Sequence, residues 1–230
     1  TGPTRRAAER CSAASGQDGQ GLARFENDGR IHTERLAPMV QGIMAEAGLG
    51  FSQLDGLICG VGPGSFAGVR IGVGFAKGLA LARDLPTLGV TSLELLAQRA
   101  LAAGARCVLP VIDARMNEVY YGAYGKNACR LAVDQVCPPA EVRLPAPGAW
   151  VGVGSGWKTY GDALGKAFGE NLTSLDAEAL PHAEDAFALV LEKFQSGKAG
   201  SSDELTPVYL RNKVALTLIE QADLRRRNSG

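Results

Sequence analysis

The residues of this chain best placed for chemistry are a cluster of glycines. Gly60, Gly62, Pro63 and Gly64 follow a short apolar run, Leu54–Val61, and Ser65 stands directly before a long helical stretch. Exposed amides ahead of a helix N-terminus attract anions, so this spacing invites a phosphate-binding reading. The detailed match fails. A P-loop requires Gly-Lys-Ser/Thr at the helix start, and no lysine separates Gly64 from Ser65. A dinucleotide fingerprint requires a third glycine at 65 counted from Gly60, or at 67 counted from Gly62; Ser65 and Ala67 stand there. Ser65 is better read as an N-cap whose hydroxyl accepts from a first-turn amide. The two histidines, His32 and His182, are far apart, and the position four after His32 is Leu36. No helix face therefore carries a His pair for a metal. The five cysteines, Cys11, Cys59, Cys107, Cys129 and Cys137, form no CxxC, which points to free thiols in a reducing compartment.

The element that must position the glycine turn is a helix from Phe66 to Arg83, unbroken by proline. Gly68, Gly72, Ala76 and Ala80 recur every fourth residue along it, beside Phe66, Val69, Val73 and Leu79. Glycine inside a helix costs up to about 1 kcal/mol relative to alanine. Such a bare ridge makes sense where something packs very close, either the chain's own sheet or a partner protein.

Around this core the pattern alternates strand and helix. A strand is expected near Leu22–Glu26, a turn at Asn27-Asp28-Gly29, and a helix over 34–47 capped by Thr33, with Leu36, Met39, Val40, Ile43 and Met44 on one face. Leu85–Val90 reads as a strand, and a helix capped by Thr91 or Ser92 runs to Ala103. In the second half, Cys107–Asp113 and Glu118–Tyr124 read as a hairpin and Arg130–Val136 as a third strand. Strand Trp150–Val153, helix Trp157–Phe168, strand Leu172–Leu175 and helix 183–196 follow. This alternation argues for α/β layers with parallel strands, in two lobes at 1–104 and 105–210. A tail helix over 211–227 packs back on the first lobe and ends in Arg225-Arg226-Arg227, a solvated helix end. Residues 1–21 contain no Val, Ile, Leu, Phe, Tyr or Met before Gly21, and cannot by themselves make a buried strand.

With 230 residues, 46 % hydrophobic and 21 % charged, the chain has ample material for a core. Lys+Arg and Asp+Glu both number 24, a balance unlike that of a dedicated nucleic-acid binder. No apolar run is long enough to span a membrane and no signal peptide is visible, so a cytoplasmic location is expected.

Four blocks carry a family resemblance: GVGPGSFAGVRIGVGFAKGLAL, LPTLGVTSLELLAQRA, VIDARMNEVYYGAY and PVYLRN. In this order, and across most of residues 30–215, they resemble the bacterial tRNA threonylcarbamoyladenosine biosynthesis family TsaB, also called YeaZ. The resemblance implies a duplicated actin-like fold of the sugar kinase/Hsp70/actin class. In that fold only Cys11-Ser12-Ala13-Ala14 looks like the remnant of an expected second strand. An active actin-like ATPase needs two acidic hairpin turns around the phosphates and a glycine-rich loop under adenosine. The first turn is missing, the second candidate (Asp113 to Asn117) is bulky, and Gly152 to Gly156 alone could form the loop.

The resemblance therefore implies a non-catalytic scaffold with no cofactor of its own, ATP and metal belonging to partner subunits. The implied partners are the catalytic paralogue TsaD and the ATPase TsaE, with tRNA reached indirectly and a homodimer formed alone. Helices 34–47 and 65–83 would make the interface, through Met39, Ile43, Phe66, Val69, Arg70, Gly72, Val73 and Ala76. The competing reading is an enzyme in its own right, an actin-like ATPase or kinase, or a glycoprotease-type peptidase.

Overall fold

In a computed structural model, the described residues are 11–17, 20–26 and 32–211. The expected turn at 27–29 and the tail helix over 211–227 with its arginine run lie outside them, apart from Arg211. The first half opens with an antiparallel pair, β1 (Cys11–Gln17) and β2 (Gln20–Glu26). β1 thus runs beyond the four residues expected to hold strand character. Helix α1 (His32–Glu46) follows and begins one residue before Thr33, which lies in its first turn rather than ahead of it.

Strand β3 (Leu57–Gly60) leads into α2 (Phe66–Arg83), then into β4 (Thr87–Val90), which pairs parallel to β3. Local chemistry sets both ends of α2. The Ser65 hydroxyl accepts from the Gly68 amide at 3.3 Å, and Asp84 adopts the left-handed conformation that stops the helix. Helix α3 (Ser92–Ala102) starts with a reciprocal cap: Glu94 N–H donates to the Thr91 hydroxyl, and Thr91 N–H to the Glu94 carboxylate.

The second half is one five-stranded sheet in the order β7-β6-β5-β8-β9. β5 (Cys107–Arg115), β6 (Glu118–Gly125) and β7 (Cys129–Cys137) form an antiparallel meander. β8 (Trp150–Val153) pairs parallel to β5, α4 (Ser155–Phe168) crosses over, and β9 (Leu172–Asp176) pairs parallel to β8. α5 (Asp185–Gln195) closes the half.

Side-chain alternation sorts the core onto two faces of this sheet. Leu109 and Val111 pack with Val119, Tyr121, Trp157, Leu164 and Phe168, under α4. Val108, Tyr124 and Val153 pack with Leu93, Leu96 and Ala97 of α3 on the other face. Helix α3, from the first half of the sequence, is therefore seated on the sheet of the second. Tyr120 and Tyr121 point to opposite faces as expected, with only Tyr121 deeply buried. Each fully buried large apolar side chain stabilises the fold by roughly 1.5–3 kcal/mol. The indole of Trp157 keeps its own hydrogen bond, donating to the Leu109 carbonyl at 3.2 Å.

Candidate partner-binding surface

α2 turns two different faces to its surroundings. Val73, Ala76 and Ala80 are buried, the first two against Cys59, Val61 and Leu205. A flanking line, Phe66, Arg70, Gly74 and Gly78, is exposed and winds away from the buried side, with Leu81 exposed beyond it. An added Cβ at Gly72, Gly74 or Gly78 would meet nothing within 4 Å. The expected ridge of Gly68, Gly72, Ala76 and Ala80 is therefore not one surface. At 3.6 residues per turn, every fourth residue advances about 40° around the axis, so the line winds from open space at Gly72 into the core at Ala76.

At the N-terminal end of the exposed line, three side chains form one cluster. The Arg70 guanidinium lies 3.7 Å from the centroid of the Phe66 ring and 5.6 Å from that of Tyr209. Its Nε donates to the Tyr209 hydroxyl at 2.8 Å, and the two aromatic centroids are 6.1 Å apart. Phe66 and Tyr209 are each about half exposed, at 49 % and 50 %. Arginine and aromatic residues held in place on a surface have the composition of an interface hot spot.

The eight residues expected at the interface divide. Phe66 and Arg70 belong to this exposed cluster, Gly72 faces open space, and Val69 is half-buried against the Val61 and Val73 core. Met39, Ile43, Val73 and Ala76 are within the chain's own interior, Met39 and Ile43 at 3 % and 2 % exposure. Sequence reasoning counted Gly74 among the helix glycines that call for a close neighbour without placing it at the interface, and passed over Tyr209 and Gly78. The two glycines carried a signal, because Phe66-Arg70-Gly74-Gly78 is also a four-residue series. Tyr209 carried none beyond its block, since only the fold brings it to Arg70.

The residues considered for nucleotide chemistry are used in packing and turns. The Asp113 carboxylate accepts from the Arg115 amide at 2.8 Å and pairs with the Arg115 guanidinium at 3.2 Å. Arg115, Met116 and Asn117 all have positive φ, between 56° and 63°, which closes this turn tightly. Arg211 donates to the Ala114 and Arg115 carbonyls and to Glu118, tying the segment after Tyr209 to the same turn. In the 152–156 loop, a Cβ on Gly154 would lie 2.6 Å from the Val111 carbonyl oxygen, and one on Gly156 2.5 Å from Val111 Cγ1. Close approach to β5 thus requires these glycines. Burial pushes the Cys59 thiol up to about 12 and, with the nearby Glu141 and Glu118 charges, the Cys137 thiol up to about 11. Among the described residues, no group of three His, Cys, Asp or Glu side chains could hold a metal ion. None of the described helices is long and apolar enough to cross a membrane.

Comparison with known proteins agrees with this architecture. The TsaD family, tRNA N6-adenosine threonylcarbamoyltransferase, matches residues 26–189. The tRNA threonylcarbamoyladenosine biosynthesis protein TsaB of Escherichia coli is 43 % identical over 218 residues, covering 91 % of this chain and 93 % of that one. TsaB of Haemophilus influenzae is 38 % identical over 220 residues, covering 90 % and 91 %. A solved structure of YeaZ from Pseudomonas aeruginosa superposes with a TM-score of 0.82 at 39 % identity, covering 89 % of this chain and 96 % of that one. With identity of this degree along nearly the whole length of its relatives, the chain belongs to the TsaB (YeaZ) family, within the wider TsaD-type fold.

Proposed function

We propose that this protein is a non-catalytic scaffold in tRNA threonylcarbamoyladenosine biosynthesis, a cytoplasmic subunit that holds a TsaD-type transferase in its working assembly. Its Escherichia coli and Haemophilus influenzae relatives are tRNA threonylcarbamoyladenosine biosynthesis proteins. The observation that carries the reading is the exposed line of α2, where Phe66, Arg70 and Tyr209 form a prearranged anchor beside the side-chain-free Gly74 and Gly78. A partner helix can approach backbone to backbone there, while the aromatic–arginine cluster supplies contact area at low ordering cost. The engagement of Asp113 by its own turn, and of Gly154 and Gly156 by β5, supports a scaffold rather than an ATPase. The transferase then supplies the catalytic groups, a TsaE-type ATPase joins the pair, and tRNA is reached through the complex. Alone, the same surface forms a homodimer.

The test is co-purification with the TsaD homologue, followed by a tRNA modification assay in which each subunit is omitted in turn. Modification is expected only with the full set, and the purified chain alone should not hydrolyse ATP or cleave a glycoprotein. An ATPase activity of the isolated chain that disappears in Asp113→Ala would overturn the scaffold reading.

A further inference from the structure

Helix α2 carries Arg70, Lys77 and Arg83 and no aspartate or glutamate. The chain as a whole is balanced, with 24 Lys and Arg against 24 Asp and Glu, so its acids are placed elsewhere. Among the described residues, none of these three cations has a carboxylate within ion-pair distance, whereas Arg99, Arg115, Arg130, Lys158 and Arg211 each have one. Arg70 uses its Nε on the Tyr209 hydroxyl and its flat face on the Phe66 ring. Both terminal nitrogens of a rigid fork are thereby held outward, with no acceptor among the described residues. Lys77 donates to the Asp203 carbonyl at 3.3 Å, a neutral partner that leaves its charge uncompensated. Glu204, beside Asp203, is engaged by the Ser201 amide. On the neighbouring α1, Arg35 and Glu46 already have partners of their own.

Arg70 and Lys77 stand on one side of α2, because seven residues complete nearly two turns. They are about 10 Å apart along the axis, with Gly74 between them. A twofold pairing of two copies presents the same stripe from both sides. Each cation would then meet glycine or another cation, at a contact where excluded water screens the repulsion less. A helix bearing aspartate or glutamate would instead offer Arg70 a forked hydrogen bond and Lys77 an ion pair, while Gly74 and Gly78 admit its backbone. A phosphate backbone fits the stripe less well, since rings and bare glycines interrupt it where a nucleic-acid groove continues its cations.

We propose that this stripe of α2 is specified for a partner helix with two carboxylates seven residues apart, and that charge selects such a helix over a second copy of this chain. Under the scaffold reading, on which this rests, the transferase carries that helix.

Lys77→Glu provides the test, because it reverses one charge and leaves the Phe66, Arg70 and Tyr209 cluster in place. Titration calorimetry with the transferase and sedimentation of the chain alone read the two associations. Transferase affinity should fall by about fivefold or more and self-association should strengthen by a similar factor, with Lys77→Gln between. Damage to the helix would weaken both, so movement in opposite directions marks charge. Added salt should likewise weaken the mixed complex and strengthen the homodimer. A transferase affinity that holds, or a self-association that does not strengthen, overturns the proposal. Should the unaltered chain not bind the transferase at all, the scaffold reading fails, and self-association of Lys77→Glu alone then decides. Retention of tRNA by the isolated chain that is lost in Lys77→Glu would assign the stripe to phosphates and overturn the proposal as well.

Discussion

Arg70 on α2 and Tyr209 near the end of the described chain are 139 residues apart, yet the arginine Nε donates to the tyrosine hydroxyl at 2.8 Å. This bond fixes the guanidinium over the Phe66 ring and makes one surface from the two ends of the fold. Arg70→Ala should therefore weaken homodimer or transferase binding by about 2 kcal/mol, roughly 30-fold in Kd. Because the cluster is exposed, the monomer should lose no more than about 1 kcal/mol. Sedimentation and thermal melts on the same variant separate these effects. Equal binding by Arg70→Ala and Phe66→Ala would remove this cluster from the interface.

The exposed glycines give a reciprocal result. Gly74→Ala places its Cβ in open space, so the monomer should gain up to about 1 kcal/mol from helix propensity. Gly74→Leu should leave the monomer folded and weaken association about 5- to 150-fold, the effect of overpacking a close contact by about 1–3 kcal/mol. Val73→Asp should do the opposite, lowering stability itself, since Val73 packs among Cys59, Val61 and Leu205. Urea titrations with light scattering would read both, and unimpaired dimers of Gly74→Leu would place the partner elsewhere.

Cys59 should report on its burial through pH. Its folded thiol keeps its proton up to about pH 12, whereas an unfolded cysteine releases it near 8.5. Between those values the unfolded chain binds fewer protons, so stability falls as pH rises, by at most about 1.4 kcal/mol per unit, and is unaffected below 8.5. The difference between the natural chain and Cys59→Ala, in urea midpoints from pH 7 to 11, isolates this slope. Parallel curves would contradict the burial. Thiol labelling should reach the exposed Cys129 long before Cys59.

Gly154 and Gly156 should behave as packing residues. Gly156→Ala drives a Cβ to 2.5 Å from Val111 Cγ1, and Gly154→Ala adds strain at φ +103°. Each is expected to cost about 1–3 kcal/mol, lowering the melting temperature by about 3–10 °C. An unchanged melt with altered nucleotide binding would instead assign the loop to a ligand.

Much of this fold was legible in the sequence because its signals are local. Ser65 as a cap, the Thr91 and Glu94 pair, and the proline-free run after Phe66 all act within a turn of the residues they organise. The strands of the second half were equally plain, since runs such as Val108–Ile112 must be covered on both faces. The blocks around Gly60–Gly72 and Val111–Tyr124 carried the family for the same reason, being contiguous in the chain.

What tertiary structure alone decided was direction. Met39 and Ile43 have the side chains of an interface and of a core alike, and only the packing of the chain buries them. The small-residue ridge of α2 crosses from exposed to buried because a helix turns 40° over four residues, a drift invisible until something lies against one side. Tyr209 reaches Arg70, and Arg211 reaches Glu118, only because the segment after α5 folds back across both halves. Contacts between residues so distant in sequence leave no local period or spacing, so the cluster they form exists only in the folded chain.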